Sequence, residues 1–255
     1  MPKAPKNIGL AGEAYVVVRE RILRGELSIG QVISRRKLAA ELGMSFLPIS
    51  EALLRLEHEG LLESRPRAGT RVRVPTRDDV RGNYLVREAL EIQAARLFAE
   101  SASEEERSEL MKLAARVDGL STRPSGNRFV YLRLHEKLHR RIAECARCPA
   151  LYDVIDRTCA LSSTWLCSSP SPSAHGVAHR HHQELMEALN ARDAVIAGEA
   201  MRQHIQRSMA NALERLEPYF RLSKKYPESY ARSEKRRVSF ELLVPPDPAG
   251  ESIPV

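Results

Sequence analysis

The densest group of reactive side chains in the sequence is His135-Glu136-Lys137-Leu138-His139, which follows the pattern H-E-x-x-H. Residues four positions apart on a helix share one face, so His135 and His139 can both point at one metal ion. In zinc peptidases with this pattern, the glutamate is the general base for a metal-bound water. The segment therefore indicates a metal site and leaves a zinc peptidase as one interpretation.

The sequence around this segment weakens the peptidase interpretation. Arg140-Arg141-Ile142 leads to neither the glycine nor the third histidine of the extended peptidase motif. No strand is predicted nearby to hold a substrate. We therefore predict that the protein is not an enzyme. Cys145-x-x-Cys148 closes a predicted helix and has no second pair at zinc-finger spacing, which leaves an oxidation sensor as a minor hypothesis.

The composition is that of a folded protein. The 255 residues are 43% hydrophobic and 29% charged, which excludes a disordered tail, a collagen and a disulfide-stapled peptide. No apolar run approaches the roughly 20 residues that cross a bilayer, and the N-terminal residues lack the apolar core of a signal peptide. Four cysteines do not make a disulfide framework in a chain of this length. We expect a soluble, cytoplasmic protein with no membrane partner.

The positive charge is concentrated at the N-terminal end. Residues 1–77 carry 14 Lys and Arg against 8 Asp and Glu, whereas residues 78–214 carry 18 against 19. A basic segment joined to a near-neutral one is typical of a phosphate-binding domain attached to a second domain, although a solvated surface would show the same excess.

Helical spacing of apolar residues predicts three helices within the first 60 residues. Ser34 and Ser45 are available as N-caps for the second and third helices, and Gly43 ends the second. Two short β-prone runs around residues 66–69 predict a hairpin. Three helices followed by a hairpin describe a winged helix-turn-helix domain over residues 1–77.

From residue 78 to residue 217 the pattern is helix after helix. It predicts an all-helical bundle of about six or seven helices, with breaks at residues 121–126 and 168–174. Residues 218–255 are rich in proline and contain a basic cluster, so we predict a loosely ordered tail. The predicted fold class is mainly α, with a winged helix-turn-helix domain before the bundle.

Residues 26–72 resemble the DNA-binding domain of the GntR family of bacterial transcription regulators. The matching stretch is ELSIGQVISRRKLAAELGMSFLPISEALLRLEHEGLLESRPRAGTRV. The resemblance implies a homodimer that binds double-stranded operator DNA, with the third helix in the major groove. The residues expected to contact DNA are Arg35, Arg36, Ser45, Phe46, Leu47, Ser50, Arg67, Thr70 and Arg71.

Two expected contact positions depart from the family. Members usually carry arginine directly after the serine that starts the third helix and again four residues later, where this chain has Phe46 and Ser50. An arginine that grips a guanine edge contributes about 1–3 kcal/mol of base discrimination. Phe46 offers an apolar contact instead, such as one to a thymine methyl group. We expect an operator unlike the common half-site of the family.

Residues 80–215 resemble, more loosely, the FCD effector domain of the FadR-like branch of this family. In that family an aspartate and three histidines bind a divalent metal, and a carboxylate effector often completes the coordination sphere. The resemblance assigns His139, His182 and His204 to the three histidines, and His135 stands where the family has aspartate. Four imidazoles suit zinc or nickel and disfavour manganese or magnesium.

Two assignments in this domain stay open. His182 lies in the run Ala178-His179-Arg180-His181-His182, so His179 or His181 can replace it as the ligand. Arg87 can pair with Glu91 on its own helix or hold the carboxylate of the effector. The sequence thus predicts a ligand-responsive repressor that binds a metal and a small carboxylate metabolite. A regulator for which the ion alone is the signal is the alternative.

Overall fold

The computed structural model of the chain describes residues 9–65, 69–121, 128–168 and 180–225. These residues form nine helices and three strands: α1 Leu10–Leu23, β1 Val32–Ile33, α2 Arg35–Leu42, α3 Phe46–His58, β2 Leu62–Arg65, β3 Gly69–Val72, α4 Arg77–Ser101, α5 Glu104–Ser121, α6 Arg128–Cys145, α7 Pro149–Ser168, α8 His181–Asn190 and α9 Ala194–Lys225. The fold is mainly α, as the sequence predicts, with α1 to β3 preceding a bundle of α4 to α9.

The N-terminal helices begin and end largely where the cap residues predict. The hydroxyl of Ser34 accepts a hydrogen bond from the backbone N–H of Lys37 at 3.2 Å, and α2 ends at Gly43, whose φ of 62° is left-handed. Ser45 occupies the N-cap position of α3, but its side chain makes no capping hydrogen bond. The buried residues of α3 include Ile49, and they pack with those of α1 in one apolar core.

The wing is a three-stranded antiparallel sheet in the order β1-β3-β2. Val32 pairs with Arg71, and Leu62 pairs with Val72. The sequence predicts only the β2–β3 hairpin and does not predict the short β1. Because side chains alternate across a strand, β3 buries Thr70 and Val72 and leaves Arg71 partly exposed.

Six of the described helices, α4 to α9, form the C-terminal bundle. Helix α4 starts with a capping box, in which Thr76 Oγ1 accepts from the Asp79 N–H at 3.0 Å and Asp79 Oδ2 accepts from the Thr76 N–H at 2.9 Å. The bundle core is formed by large apolar side chains that include Tyr84, Phe98, Leu110, Leu138, Met186, Met201 and Leu216. This core fixes the relative positions of α4, α5, α6, α8 and α9, which carry the site described below.

Helix α9 continues past Pro218 to Lys225, whereas the sequence placed the start of the tail at Pro218. Leu216 and Phe220, on either side of the proline, are 0% and 4% exposed in the bundle core. Their burial outweighs the hydrogen bond that a proline removes from a helix, so the helix extends by two turns beyond the predicted end. Residues 226–255, the rest of the predicted tail, lie outside the described residues.

The winged domain packs directly on the bundle. Helix α1 contacts α7, and Leu161 of α7 packs against the apolar cores of both domains. Gly60, between α3 and β2, has a φ of 78°, and a Cβ there would lie 3.4 Å from Leu161. Among the described helices, none combines the length and the apolar character that spanning a bilayer requires.

Candidate metal centre

Four histidines from three helices converge inside the bundle: His135 and His139 of α6, His182 of α8 and His204 of α9. The Nε2 atom of His139 lies 3.2 Å from that of His135 and 3.3 Å from that of His204. One ligand nitrogen from each of these three residues falls within 4.8 Å of the others. The His182 ring lies beside them, with its centroid 5.1 Å from those of His135 and His204.

The buried carboxylate of Glu91 orients the His139 ring through a hydrogen bond to its Nδ1 atom. The Nδ1 atom of His139 donates to Glu91 Oε2, and the other oxygen of Glu91 accepts from Arg87 Nε at 2.7 Å. All three side chains are at most 2% exposed. Burial favours the neutral acid, but the charge of Arg87 and the hydrogen bonds from Arg87 and His139 outweigh it and hold the pKa of Glu91 at about 2. Glu91 is therefore an ionised acceptor.

Asp118 orients the His182 ring in the same way. Its Oδ1 accepts from His182 Nδ1 at 2.6 Å and from the His182 backbone N–H at 3.2 Å, and its Oδ2 accepts from the Gln183 N–H at 3.0 Å. Burial would raise the pKa of Asp118, but these hydrogen bonds lower it overall. One carboxylate thus fixes both the start of α8 and the orientation of the His182 ring.

These hydrogen bonds decide which ring nitrogens are free to bind a metal. An ionised carboxylate only accepts, so the Nδ1 atoms of His139 and His182 carry the protons and their Nε2 atoms carry lone pairs. The Nε2 atom of His182 is buried and has no hydrogen-bond partner. The arrangement of imidazole Nε2 toward the centre and carboxylate on Nδ1 is the usual surrounding of a metal-binding histidine. The donor set fits a transition metal.

Three histidines of this cluster are neutral: His135, His139 and His204. Burial, together with the neighbouring rings, lowers the pKa of His135 and His204 well below the ordinary value. Burial also lowers the pKa of His139, against the opposing charge of Glu91. Neutral imidazole is the form that ligates metals, so these three side chains need no loss of protons to bind an ion.

Arg87, the predicted effector residue, makes one of the two contacts that the sequence left open, the pair with Glu91. It pairs with Glu91, and its Nη1 donates to Ser162 Oγ at 3.3 Å. The side chain is only 2% exposed, and its Nη2 has no hydrogen-bond partner among the described residues. A buried guanidinium with one unused donor group is an available partner for an anionic oxygen.

Glu136 does not lie where a peptidase base would have to lie. It is buried and points toward the winged domain, where its Oε1 accepts from Arg19 Nη2 of α1 at 2.9 Å. A carboxylate that is buried and paired with an arginine of the other domain is not available to activate a metal-bound water. The zinc-peptidase interpretation of His135-Glu136-x-x-His139 is therefore wrong.

Of the two alternative ligands, His181 lies within the described residues. It is partly exposed and its Nδ1 contacts Arg207 Nη1 at 2.9 Å, so in the described part of α8 the ring that lies beside the cluster is that of His182. His179 lies outside the described residues. Cys145 and Cys148 are free thiols. Burial raises the pKa of Cys145 to about 11, which makes it unreactive as a thiolate.

The expected DNA contacts at the start of α2 and α3 lie on the surface. Arg36 and Ser45 are exposed, and the side chains of Phe46 and Leu47 are 56% and 67% exposed. The hydroxyl of Ser50 donates to the carbonyl of Phe46 at 2.9 Å. The start of α3 thus presents two apolar side chains to solvent, and its first turn carries no charged residue.

The residues of the wing that were expected to contact DNA differ in their exposure and in their partners. Thr70 is 2% exposed, because β3 turns it inward, and its Oγ1 accepts from Arg35 Nη2 at 3.2 Å. It supports Arg35, which is partly exposed, and does not itself face outward as the sequence predicted. Arg71 is ion-paired with Glu63. Arg67 lies outside the described residues.

Two residues of this site were not predicted from the sequence. Glu91 was considered only as a partner of Arg87, and Asp118 was not considered at all. Asp118 lies on α5 four residues after Ala114 and directly after Val117, both of which are fully buried. An aspartate within an apolar helix stripe is a signal that could have revealed it, because a buried carboxylate needs a partner.

Comparison with known proteins supports the two-part architecture. Residues 10–72 match the family of bacterial regulatory proteins called gntR, and residues 83–207 match the FCD domain. Among solved structures, Escherichia coli McbR/YncC has a TM-score of 0.67 at 21% identity, over 81% of this chain and 98% of that one. A GntR regulator from Rhodococcus sp. RHA1 has a TM-score of 0.68 at 19% identity, over 80% and 97%.

Two curated relatives of the chain are described as transcriptional repressors. The chain is 30% identical to a probable D-xylose utilization operon transcriptional repressor of Paenarthrobacter nicotinovorans, over 72% of this chain and 80% of that protein. It is 25% identical to the HTH-type transcriptional repressor RspR of Escherichia coli K12, over 76% and 85%. These relatives are transcriptional regulators and not enzymes. The chain therefore belongs to the GntR family of DNA-binding transcriptional regulators and carries an FCD domain as its effector domain.

Proposed function

We propose that this regulator is a repressor whose helical domain binds a divalent transition metal through His135, His139, His182 and His204. The observation that supports this best is the convergence of imidazole nitrogens, with Glu91 and Asp118 behind two of the rings. An all-imidazole donor set prefers borderline metals, so zinc or nickel is the proposed ion.

We further propose that a small carboxylate metabolite binds beside the metal. Arg87 Nη2 is buried without a partner, and its guanidinium is close enough to lower the pKa of His135, His139 and His204 after the larger effect of burial. A carboxylate between the cation and this guanidinium would satisfy both. The four imidazoles add no negative charge to the ion, which increases its attraction for an anionic effector.

We assign DNA binding to the N-terminal domain, and ligand binding and dimerisation to the helical domain. Residues 1–77 bind the operator, and residues 78–225, which include the whole of α9, bind the ligands and form a homodimer. Two recognition helices need matched half-sites, so the dimer requires a two-fold operator. The effector changes operator affinity through a coupling free energy between its site and the DNA-binding domain.

A metal sensor without an organic effector is the second candidate. Its support is the ion pair of Arg87 with Glu91, which already occupies part of the guanidinium that an effector would use. The two candidates differ in one measurement. If operator affinity follows zinc or nickel alone, the ion is the signal, whereas a response only when an acid is added with the metal favours the effector.

The experiment combines metal analysis with native mass spectrometry of the purified chain. We expect stoichiometric zinc or nickel after reconstitution, and a small acid retained by the native protein. The His182→Ala variant should lose most of the bound metal, while the His181→Ala variant, altered at the adjacent and partly exposed histidine, should keep it. Equal metal content in the two variants, or none in the wild type, would refute the proposed site.

A further inference from the structure

Glu136 joins the histidine helix to the DNA-binding domain. It directly follows His135 in α6, yet its carboxylate points to α1, where Arg19 Nη2 lies 2.9 Å from its Oε1. The two residues are 117 positions apart in the chain. The side chain of Glu136 is 2% exposed and that of Arg19 is 14% exposed, so this ion pair is largely withdrawn from water.

The surroundings make Glu136 dependent on Arg19. Arg140, one turn further along α6, lies 3.6 Å from the same oxygen through Nη1, but its Nε is directed to Asp156 at 2.8 Å. The second oxygen of Glu136 is buried and has no hydrogen-bond partner among the described residues. An arrangement that separates α1 from α6 would leave this buried carboxylate with only the longer Arg140 contact, and it is destabilised for that reason.

Two further contacts join the C-terminal end of α1 to the bundle. The guanidinium of Arg24 lies 4.9 Å from the centroid of the Phe129 ring at the start of α6. The thiol of Cys167 in α7 donates to the carbonyl of Leu23. The ion pair is thus part of a larger interface, and a displacement of α6 moves the partner of Arg19 directly.

We propose that Arg19 and Glu136 are positioning residues that transmit the state of the histidine site to the winged domain. This inference rests on the proposed metal binding, since the link begins at His135. An ion bound by His135 and His139 fixes that face of α6. The same helical turn then fixes Glu136, and Glu136 fixes α1 through Arg19. The glutamate of the H-E-x-x-H segment acts here as a link between domains.

The test measures how zinc alone changes DNA affinity and α1 protection. Operator affinity is measured by fluorescence anisotropy on a duplex that the wild-type protein selects from random-sequence DNA, with and without zinc. Hydrogen exchange of residues 10–23 is followed in the same samples. The variants are Arg19→Gln, Glu136→Gln and the double variant. The controls are Arg21→Gln, which breaks a pair with Glu41 inside the winged domain, and Glu144→Gln, which breaks a pair with Arg141 on α6.

We expect zinc to change wild-type operator affinity and to increase protection of α1. Both responses should shrink by about fivefold or more in the three variants and persist in the two controls. The Arg19→Gln variant leaves the sequence of α6 unaltered, so it tests the same ion pair if the Glu136→Gln variant does not fold. A wild type that binds no zinc would overturn the proposed metal site. Zinc binding with the same DNA and exchange responses in Arg19→Gln as in the wild type would overturn the link alone.

Discussion

The Nδ1 atom of His182 lies 2.6 Å from Oδ1 of Asp118, a residue 64 positions earlier in the chain. The same carboxylate accepts the backbone N–H groups of His182 and Gln183. This relationship links the first turn of α8 to α5 and leaves the Nε2 atom of His182 free to face the other rings. The position of the ligand is therefore set by a residue outside the ligand set.

Asp118→Asn should weaken metal binding without removing a ligand. The amide preserves the size of the side chain but carries no charge and also presents a donor, so it holds His182 Nδ1–H less strongly. We expect zinc affinity, measured by chelator competition, to fall about 10–100-fold. Asp193→Asn is the control, since Asp193 caps α9 from an exposed position and should leave zinc affinity unchanged. Equal affinities in Asp118→Asn and the wild type would contradict the orienting role.

Glu91→Gln should destabilise the metal-free protein. Glu91 is the charge partner of the buried Arg87, and removing one member of a buried ion pair costs about 3–5 kcal/mol. Urea denaturation measures the free energy of unfolding. Glu187→Gln breaks a pair with Arg180 whose side chains are 53% and 59% exposed, so the unfolding free energy should change by less than about 1 kcal/mol. A similar, small loss in both variants would show that Arg87 does not depend on Glu91.

The sequence predicted the parts of this site that depend on local spacing or on family positions. His135 and His139 follow from their four-residue spacing, and His182 and His204 follow from the resemblance to the FCD domain. Asp118 could not be assigned, because its partner lies on a helix that only tertiary packing brings near. The same reason explains Glu136, whose partner Arg19 belongs to the other domain. The residue type alone does not reveal the partner of either carboxylate, because the packing of α1, α5, α6 and α8 determines what they contact.

His135→Asp restores the residue type that the family carries at this position and should change metal preference. A carboxylate in place of an imidazole adds a negative charge and a hard oxygen donor to the site. We expect the affinity for manganese relative to that for nickel to rise by about tenfold or more. Competition binding of the two metals measures this ratio, with His181→Ala as the control. An unchanged ratio would place His135 outside the coordination sphere, despite its Nε2 lying 3.2 Å from that of His139.

Phe46→Arg should change which operator the protein prefers. The wild-type side chain is 56% exposed at the start of α3, where it can contact a thymine methyl but cannot hydrogen-bond to a base. An arginine there can donate two hydrogen bonds to a guanine, so selection from random-sequence DNA should enrich guanine at one position of each half-site. The discrimination should amount to about 1–3 kcal/mol.

Leu54→Arg is the matched control for this change, because Leu54 is equally exposed at 56% but lies two turns further along α3. It adds the same charge and should strengthen binding to all DNA at low salt without changing base preference, since phosphate contacts carry no sequence information. If both variants select the wild-type operator, then Phe46 does not contact bases. In that case the specificity of this regulator lies in Arg35 and the wing, where Thr70 supports Arg35 from within the sheet.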